Sequence, residues 1–92
     1  MTLRFEWDSI KARINFKKHG VSFEKAATVF GDSFSVTVAD PIHSVGEERF
    51  ITIGQSRSGI IVVVAHTDKD GTIRIISARR AMGNERRIYE EK

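Results

Sequence analysis

The chain has 92 residues and no cysteine, with 40% hydrophobic residues, 29% charged residues and a formal net charge of +3. Its apolar content is enough for one modest core, which predicts a single domain over residues 1–92. The lack of cysteine excludes a disulfide scaffold and a zinc site built on thiolates. The apolar runs are too short to span a membrane and the N-terminus lacks a signal-like apolar core, so a cytoplasmic protein is expected.

The first predicted elements are a short strand and a helix. Residues 3–7 alternate between apolar and charged side chains, which is typical of a strand with one buried face. Asp8 suits a helix N-cap and Gly20 suits the position just after a helix end. A helix is therefore predicted over residues 9–19.

The packing sides of the two N-terminal helices are predicted from the spacing of their apolar residues. Ile10 and Ile14 are four residues apart, so they are expected to face the core, with Trp7 or Phe16 extending the stripe. A second helix is predicted over residues 23–30. Its core-facing stripe is formed by Phe23, Ala26, Ala27 and Phe30.

Four more strands are predicted by alternation and by the turn residues between them. They cover residues 34–38, 49–56, 60–67 and 72–78. The strand over residues 60–67 is apolar on both faces, which predicts a central position in the sheet. In the last strand, one face is predicted to carry Ile73, Ile75 and Ser77, and the other Arg74, Ile76 and Ala78. With a terminal helix over residues 85–91, the order is β-α-α-β-β-β-β-α. This order predicts an α+β fold, an antiparallel sheet with two N-terminal helices and a C-terminal helix.

Residues 73–89 carry most of the excess positive charge. They contain one acid, Glu85, and five arginines: Arg74, Arg79, Arg80, Arg86 and Arg87. Guanidinium groups stay charged at any working pH and bind phosphate oxygens through two hydrogen bonds. The stretch is therefore expected to form one wall of an RNA site. Arg79 is the strongest single candidate, because a cation at a strand end beside a core needs an anionic partner.

RNA cleavage is a reaction that these side chains can support without a metal ion or a protein nucleophile. The substrate's 2′-OH attacks the adjacent phosphorus, and the protein must help move protons and stabilise the added negative charge. Histidine titrates in the right range for proton transfer, and the spacing of His19, His43 and His66 matches no metal-ligand pair. Each histidine also has a simpler interpretation: His19 as a helix C-terminal cation, His43 as exposed loop and His66 as structural.

Several spaced motifs together resemble the BrnT family of toxins from bacterial type II toxin–antitoxin pairs. They run over nearly the whole chain in the family's order and are FEWD at 5–8, KHGVSFEKA at 18–26, HSVGEERF at 43–50, IG at 53–54, RIISARRA at 74–81 and ERRIYE at 85–90. The resemblance implies a RelE-like toxin fold and a ribonuclease, with no cofactor, that halts translation. It also implies a BrnA-type antitoxin with a ribbon-helix-helix part, two toxins on each antitoxin dimer, and operator DNA bound only through the antitoxin.

The resemblance also implies site residues. The catalytic candidates are His19 for proton transfer with Lys18 assisting, and Arg49 and Arg79 for phosphate and transition-state charge. For substrate binding the resemblance implies His43, Glu47, Glu48, Glu85 and Arg86, and the charge and aromatic content of the chain add Lys17, Arg80 and Tyr89. No residue is expected to bind a metal ion.

One departure from the family concerns the start of the last helix. Family members commonly have a Thr-x-x-Glu capping box there, whereas this chain has Met82 three residues before Glu85. Asn84 or Gly83 is expected to cap the helix instead, at a cost of ~1 kcal/mol. A weakened or degenerate toxin that only holds its antitoxin therefore stays open as an alternative function. A domain that binds DNA directly is disfavoured, because the chain shows no helix-turn-helix pair and no basic recognition helix.

Overall fold

The computed structural model describes residues 3–91 and contains the predicted order of strands and helices. The elements are β1 (Arg4–Glu6), α1 (Ser9–His19), α2 (Phe23–Ala27), β2 (Val36–Ala39), β3 (Phe50–Gln55), β4 (Ile61–Lys69), β5 (Thr72–Arg80) and α3 (Gly83–Glu90). Two 3₁₀ turns, Thr28–Gly31 and Pro41–His43, follow α2 and β2. Within residues 3–91, no helix combines the length and the apolar character needed to span a membrane.

The five strands form one sheet in the order β1-β5-β4-β3-β2, so β4 has the central position that its sequence predicted. The pairs β2–β3, β3–β4 and β4–β5 are antiparallel. The prediction of an antiparallel sheet is wrong for β1, which pairs with β5 in parallel and makes the sheet mixed. Alternation along a strand identifies its buried face but carries no information about its neighbour or the direction of pairing.

The core lies between one face of the sheet and the helices α1 and α2. Phe23 and Ala26 of α2 are fully buried, together with Val62 and Val64 of β4 and Ile75 of β5. Ser22 caps α2 by accepting the Lys25 backbone N–H at 3.0 Å. The helix ends at Ala27, and the rest of the predicted span forms the 3₁₀ turn instead.

The prediction for the packing side of α1 is wrong. Ile10 and Ile14 are 62% and 61% exposed, and Phe16 is also exposed. The buried residue of α1 is Asn15, whose Nδ2 donates to the carbonyls of Ala78 at 2.8 Å and Val21 at 3.0 Å, while its Oδ1 accepts the Ala78 N–H at 3.1 Å. The helix is therefore attached to β5 through a side-chain amide that acts as an extra peptide group at the strand's edge.

A β-bulge in β5 changes the predicted side-chain alternation. His66 of β4 pairs with Ile75, and the preceding residue of β4 pairs with Ser77, so Ile76 is an extra residue with no partner. After the bulge, Ala78 faces the core and is fully buried, whereas Ser77 is exposed. The prediction that Ser77 shares a face with Ile75 is therefore wrong, because the extra residue inverts the alternation for the rest of the strand.

The N-terminus of α3 is also capped differently from the prediction. Met82 is the N-cap residue, and neither Asn84 nor Gly83 takes that role. The Glu85 side chain accepts the Met82 backbone N–H at 2.8 Å, which is the acidic half of a capping box. Glu85 thus accepts the backbone N–H of the N-cap residue itself, which a threonine side chain at the N-cap would not bind.

Candidate functional site

The sheet face opposite α1 and α2, here called the open face, is one of the surfaces that the fold leaves for a ligand. Alternation and strand pairing place Val38, Ile51, Ala65 and Ser77 across it, one from each of the strands β2 to β5. Val38 and Ser77 are exposed, and the other two are half-buried. The sheet twist and α3 bound this face at the end where β5 leaves the sheet.

Arg79 lies on the open face because it pairs with Val63 beyond the bulge. Its Nη1 and Nη2 donate to the two carboxylate oxygens of Glu85 at 2.7 and 2.6 Å, and Nη1 also donates to the carbonyl of Arg80 at 3.3 Å. The paired hydrogen bonds raise the pKa of Arg79 and lower the pKa of Glu85. The Arg79 side chain is 33% exposed, so the ion pair fixes the guanidinium at the edge of the open face without enclosing it.

Lys18 and His19 lie at the other edge of β5, at the C-terminus of α1. They line a shallow pocket of about 220 Å³ together with Lys11, Ile14, Asn15, Ile76 and Ser77. Ile76, the extra residue of the bulge, lines this pocket, and Ser77 belongs both to the pocket and to the open face. Ser77 and Arg79 are two residues apart along the strand, or about 7 Å. No sequence pattern points to Ser77 as a site residue, since alternation does not reveal the bulge.

The loop between β2 and β3 carries four predicted site residues, which do not converge on one point. His43 Nδ1 is 2.8 Å from Asp40 Oδ2, and both the ring and the loop are largely exposed. Arg49 donates its backbone N–H to Ser44 Oγ at 3.0 Å, and its carbonyl accepts the Asp40 N–H at 2.9 Å. Arg49 directly precedes β3, and alternation puts it on the side of the open face.

The two acidic residues of this loop, Glu47 and Glu48, do not share one pocket. Glu47 lines a pocket of about 330 Å³ at the far end of the open face. The other charged residues of this pocket are Arg4, Glu6, Lys69, Asp70 and Arg74, of which only Arg74 belongs to the predicted RNA wall. Arg74 donates to Glu6 at 3.0 Å there. The spacing of two between Arg4 and Glu6 on β1 is the sequence signal for this cluster of three cations and three carboxylates, which has no net charge. Glu48 is exposed.

The remaining predicted residues form separate groups. Arg80 and Arg86 line a pocket of about 270 Å³ with Gly59, Ile60, Ile61 and Ala81. The Tyr89 hydroxyl donates to Asp32 Oδ2 at 2.6 Å, which raises the pKa of Tyr89 to about 12. Lys17 is exposed on α1. Within residues 3–91, no three histidine, aspartate or glutamate side chains lie close enough to bind one metal ion.

His66 is a structural residue, as one of its two sequence interpretations predicted. It is buried, its Nε2 lies 2.7 Å from Thr52 Oγ1, and its ring packs edge-on against Phe30 and stacks on Phe50. Burial lowers the pKa of His66. The imidazole is therefore neutral at pH 7 and belongs to the core rather than to the open face.

Comparison with known proteins agrees with the family that the motifs indicated. The family model described as the ribonuclease toxin BrnT of type II toxin–antitoxin systems matches residues 7–85. The crystal structure of the Brucella abortus ribonuclease toxin BrnT shares the fold with a TM-score of 0.63 and 24% sequence identity, over 88% of this chain and 99% of that chain. A search of curated proteins found no match. Because the family model covers most of its length, this chain belongs to the BrnT family of ribonuclease toxins of type II toxin–antitoxin systems.

Proposed function

We propose that the protein is a metal-independent endoribonuclease that acts in the cytoplasm, inhibits translation and is neutralised by a BrnA-type antitoxin. The observation that carries the proposal is the fixed position of Arg79 at the edge of the open face. The Arg79 N–H groups that do not bind Glu85 or the Arg80 carbonyl have no hydrogen-bond acceptor within residues 3–91. They are available to a phosphate oxygen on the open face.

In the proposed reaction, the 2′-oxygen forms a bond to phosphorus and the bond from phosphorus to the 5′-oxygen breaks. The proton of the 2′-OH passes to a base and a proton is delivered to the leaving 5′-oxygen, which leaves a 2′,3′-cyclic phosphate and a 5′-OH. His19 is proposed for proton transfer, with Lys18 assisting. Arg79 and Arg49 are proposed to stabilise the charge on the phosphorane. The pocket of Lys18 and His19 supports this assignment because it adjoins the open face at Ser77.

The remaining predicted residues are proposed to bind the substrate along its length. Cations at several positions would contact successive phosphates of a single strand, and Tyr89 or other exposed rings would contact bases. The set is Lys17, His43, Glu47, Glu48, Arg80, Glu85, Arg86 and Tyr89. In this proposal, Glu85 acts on the substrate only indirectly, because its carboxylate positions Arg79.

One observation favours a second function. The Arg79 charge is already paired with a carboxylate, which is also what a purely structural arginine would show. A non-catalytic toxin-fold protein that binds its antitoxin and takes part in operon regulation would keep this ion pair and lack cleavage.

Cleavage of single-stranded RNA in EDTA separates the two functions. We expect the wild-type protein to cleave, and Arg79→Ala and His19→Gln to reduce the rate by about 100-fold or more, because each removes a group that acts in the transition state. Arg57→Ala, at an exposed arginine in the turn before β4 that is assigned to no site, is the matched control and should cleave normally. Thermal denaturation of each variant checks that a loss of activity is not a loss of folding.

Two results would contradict the proposal. Cleavage that EDTA abolishes would exclude the metal-independent reaction. A wild-type protein that cleaves neither naked nor ribosome-bound RNA, and whose expression does not arrest growth, would indicate the non-catalytic protein.

A further inference from the structure

The outer surface of α1 combines exposed aliphatic side chains with clustered positive charge. Ile10 and Ile14 are about 40° apart around the helix, so they form one ridge. Both are more than half exposed. The helix contains no acidic residue, and its cations lie on both sides of the ridge: Lys11, Arg13, Lys17 and Lys18. This surface is not needed to hold α1 on the sheet, because Asn15 does so from the opposite side.

The ridge adjoins the candidate proton-transfer pocket. Ile14 and Lys11 line that pocket together with Lys18 and His19. A ligand that contacts Ile14 and Lys11 from outside would therefore also cover the opening above His19. Ile10 and Arg13 belong to the same outer surface but do not line the pocket.

We infer that this ridge binds an acidic amphipathic helix of the antitoxin, and that binding covers the Lys18–His19 pocket. The inference rests on the proposed function, from which it takes the antitoxin and the role of the pocket. Apolar residues three or four apart on the partner helix would contact Ile10 and Ile14. Carboxylates beside them would pair with the flanking cations, which gives the interface its specificity and its rate of association.

The aliphatic ridge distinguishes a protein partner from RNA. Phosphates would be attracted by the four cations alone and would gain nothing from two isoleucines. Bases stack on aromatic rings or on guanidinium planes, and a β-branched aliphatic side chain offers neither. An apolar strip in the middle of a basic surface is therefore suited to an acidic amphipathic partner.

The affinity of the purified toxin for its purified cognate antitoxin tests the inference. We expect Ile10→Asp and Arg13→Glu each to raise the Kd by at least about tenfold, because each places a negative charge against an acidic partner. Ile88→Asp is the matched control, since Ile88 is a comparably exposed isoleucine on α3, and it should bind like the wild type. RNA cleavage in EDTA is measured on the same samples and should be unchanged in Ile10→Asp and Arg13→Glu.

Antitoxin affinity tests this inference and RNA cleavage tests the proposed function, so either can be contradicted without the other. If Ile10→Asp and Arg13→Glu bind the antitoxin with wild-type affinity, or if the wild type does not bind it, the inference is wrong whatever the cleavage result. If these variants lose RNA binding and keep the antitoxin, α1 is an RNA surface and the inference is wrong. If they lose antitoxin affinity while the wild type cleaves no RNA, the docking surface is supported and the proposed enzyme is contradicted.

Chemical modification of histidine tests whether the pocket is covered. Diethyl pyrocarbonate should modify His19 in the free toxin and much less in the complex. His43, which is exposed in the loop between β2 and β3, is the internal control and should react in both. Equal modification of His19 with and without the antitoxin would overturn the covering of the pocket.

Discussion

Arg79 is oriented by the carboxylate of Glu85, which also accepts the backbone N–H of Met82, the N-cap residue of α3. The substitution Glu85→Gln is expected to lower the free energy of unfolding by about 1–2 kcal/mol at pH 7. The reason is that three hydrogen bonds in a partly exposed site lose their charged acceptor. Urea denaturation measures this difference. Glu90→Gln, on an exposed position of the same helix, is the control and should change stability little.

The pH dependence of this difference has a definite sign. The pKa of Glu85 is lowered in the folded chain from its ordinary value of 4.5. Its contribution is therefore complete above about pH 4.5 and is lost as the pH falls through the folded pKa. The difference between wild type and Glu85→Gln should narrow in acid, and a difference that is equal at pH 7 and pH 3 would contradict the assigned ion pair.

At the scale of elements, α1 is attached to the sheet through Asn15 rather than through its isoleucines. Asn15→Ala is expected to cost about 2–4 kcal/mol of unfolding free energy, because it leaves the Ala78 N–H and two carbonyls without their buried partner. Ile14→Ala removes more apolar volume but from an exposed site, so it should change stability by less than about 0.5 kcal/mol. Denaturant titration of the two variants would refute the attachment if Ile14→Ala were the more destabilising.

Sequence patterns predicted most element bounds but not the contacts between elements. Asp8 and Gly20 marked both ends of α1 correctly, because capping depends on local backbone groups. The spacing of Ile10 and Ile14 indicated an apolar stripe, yet a polar amide fills the inward side. The direction of β1 depends on a partner strand almost 70 residues later, which no local pattern encodes.

Sequence motifs named candidate site residues but could not predict how these residues are arranged. The motifs named Lys18 and His19, and these two do share one pocket. The arginines of the last strand and helix do not form one wall: Arg79 lies on the open face, whereas Arg80 and Arg86 line a different pocket. Consecutive residues of a strand point to opposite faces, which separates Arg79 from Arg80, and the bulge at Ile76 decides that Arg79 is the one on the open face.

For the whole molecule, the perturbed groups predict a stability plateau between about pH 7 and pH 10. The pKa values of Asp8, Glu85 and His66 are all lowered, by backbone hydrogen bonds, by Arg79 and by burial respectively. Each group binds protons more readily in the unfolded chain, so acid destabilises the fold, first through His66 below its ordinary value of 6.5. Tyr89 acts in the opposite direction, because its pKa is raised to about 12 by Asp32 and its contribution is lost as the pH rises above its ordinary value of 10.0.

Thermal unfolding between pH 4 and pH 12 measures this plateau. His66→Gln should flatten the decline between pH 6.5 and pH 5, where one extra proton bound on unfolding gives a slope of at most about 1.4 kcal/mol per pH unit. Tyr89→Phe should flatten the alkaline decline. His43→Gln, at an exposed position, serves as the control for the first variant, and an equal effect of the two histidine variants would contradict the assignment.

The extra residue in β5 also bears on how the family's chains can change length. Removing Ile76 would let Ser77 follow Ile75 directly, which would make the pairing with β4 regular and would leave Ala78 facing the core and Arg79 on the open face. Inserting or deleting one residue between Ser77 and Arg79 would instead exchange the interior and exterior sides of the rest of the strand up to α3. Related chains should therefore differ in length at the bulge or in the hairpin at Asp70 and Gly71 far more often than between Ser77 and Arg79.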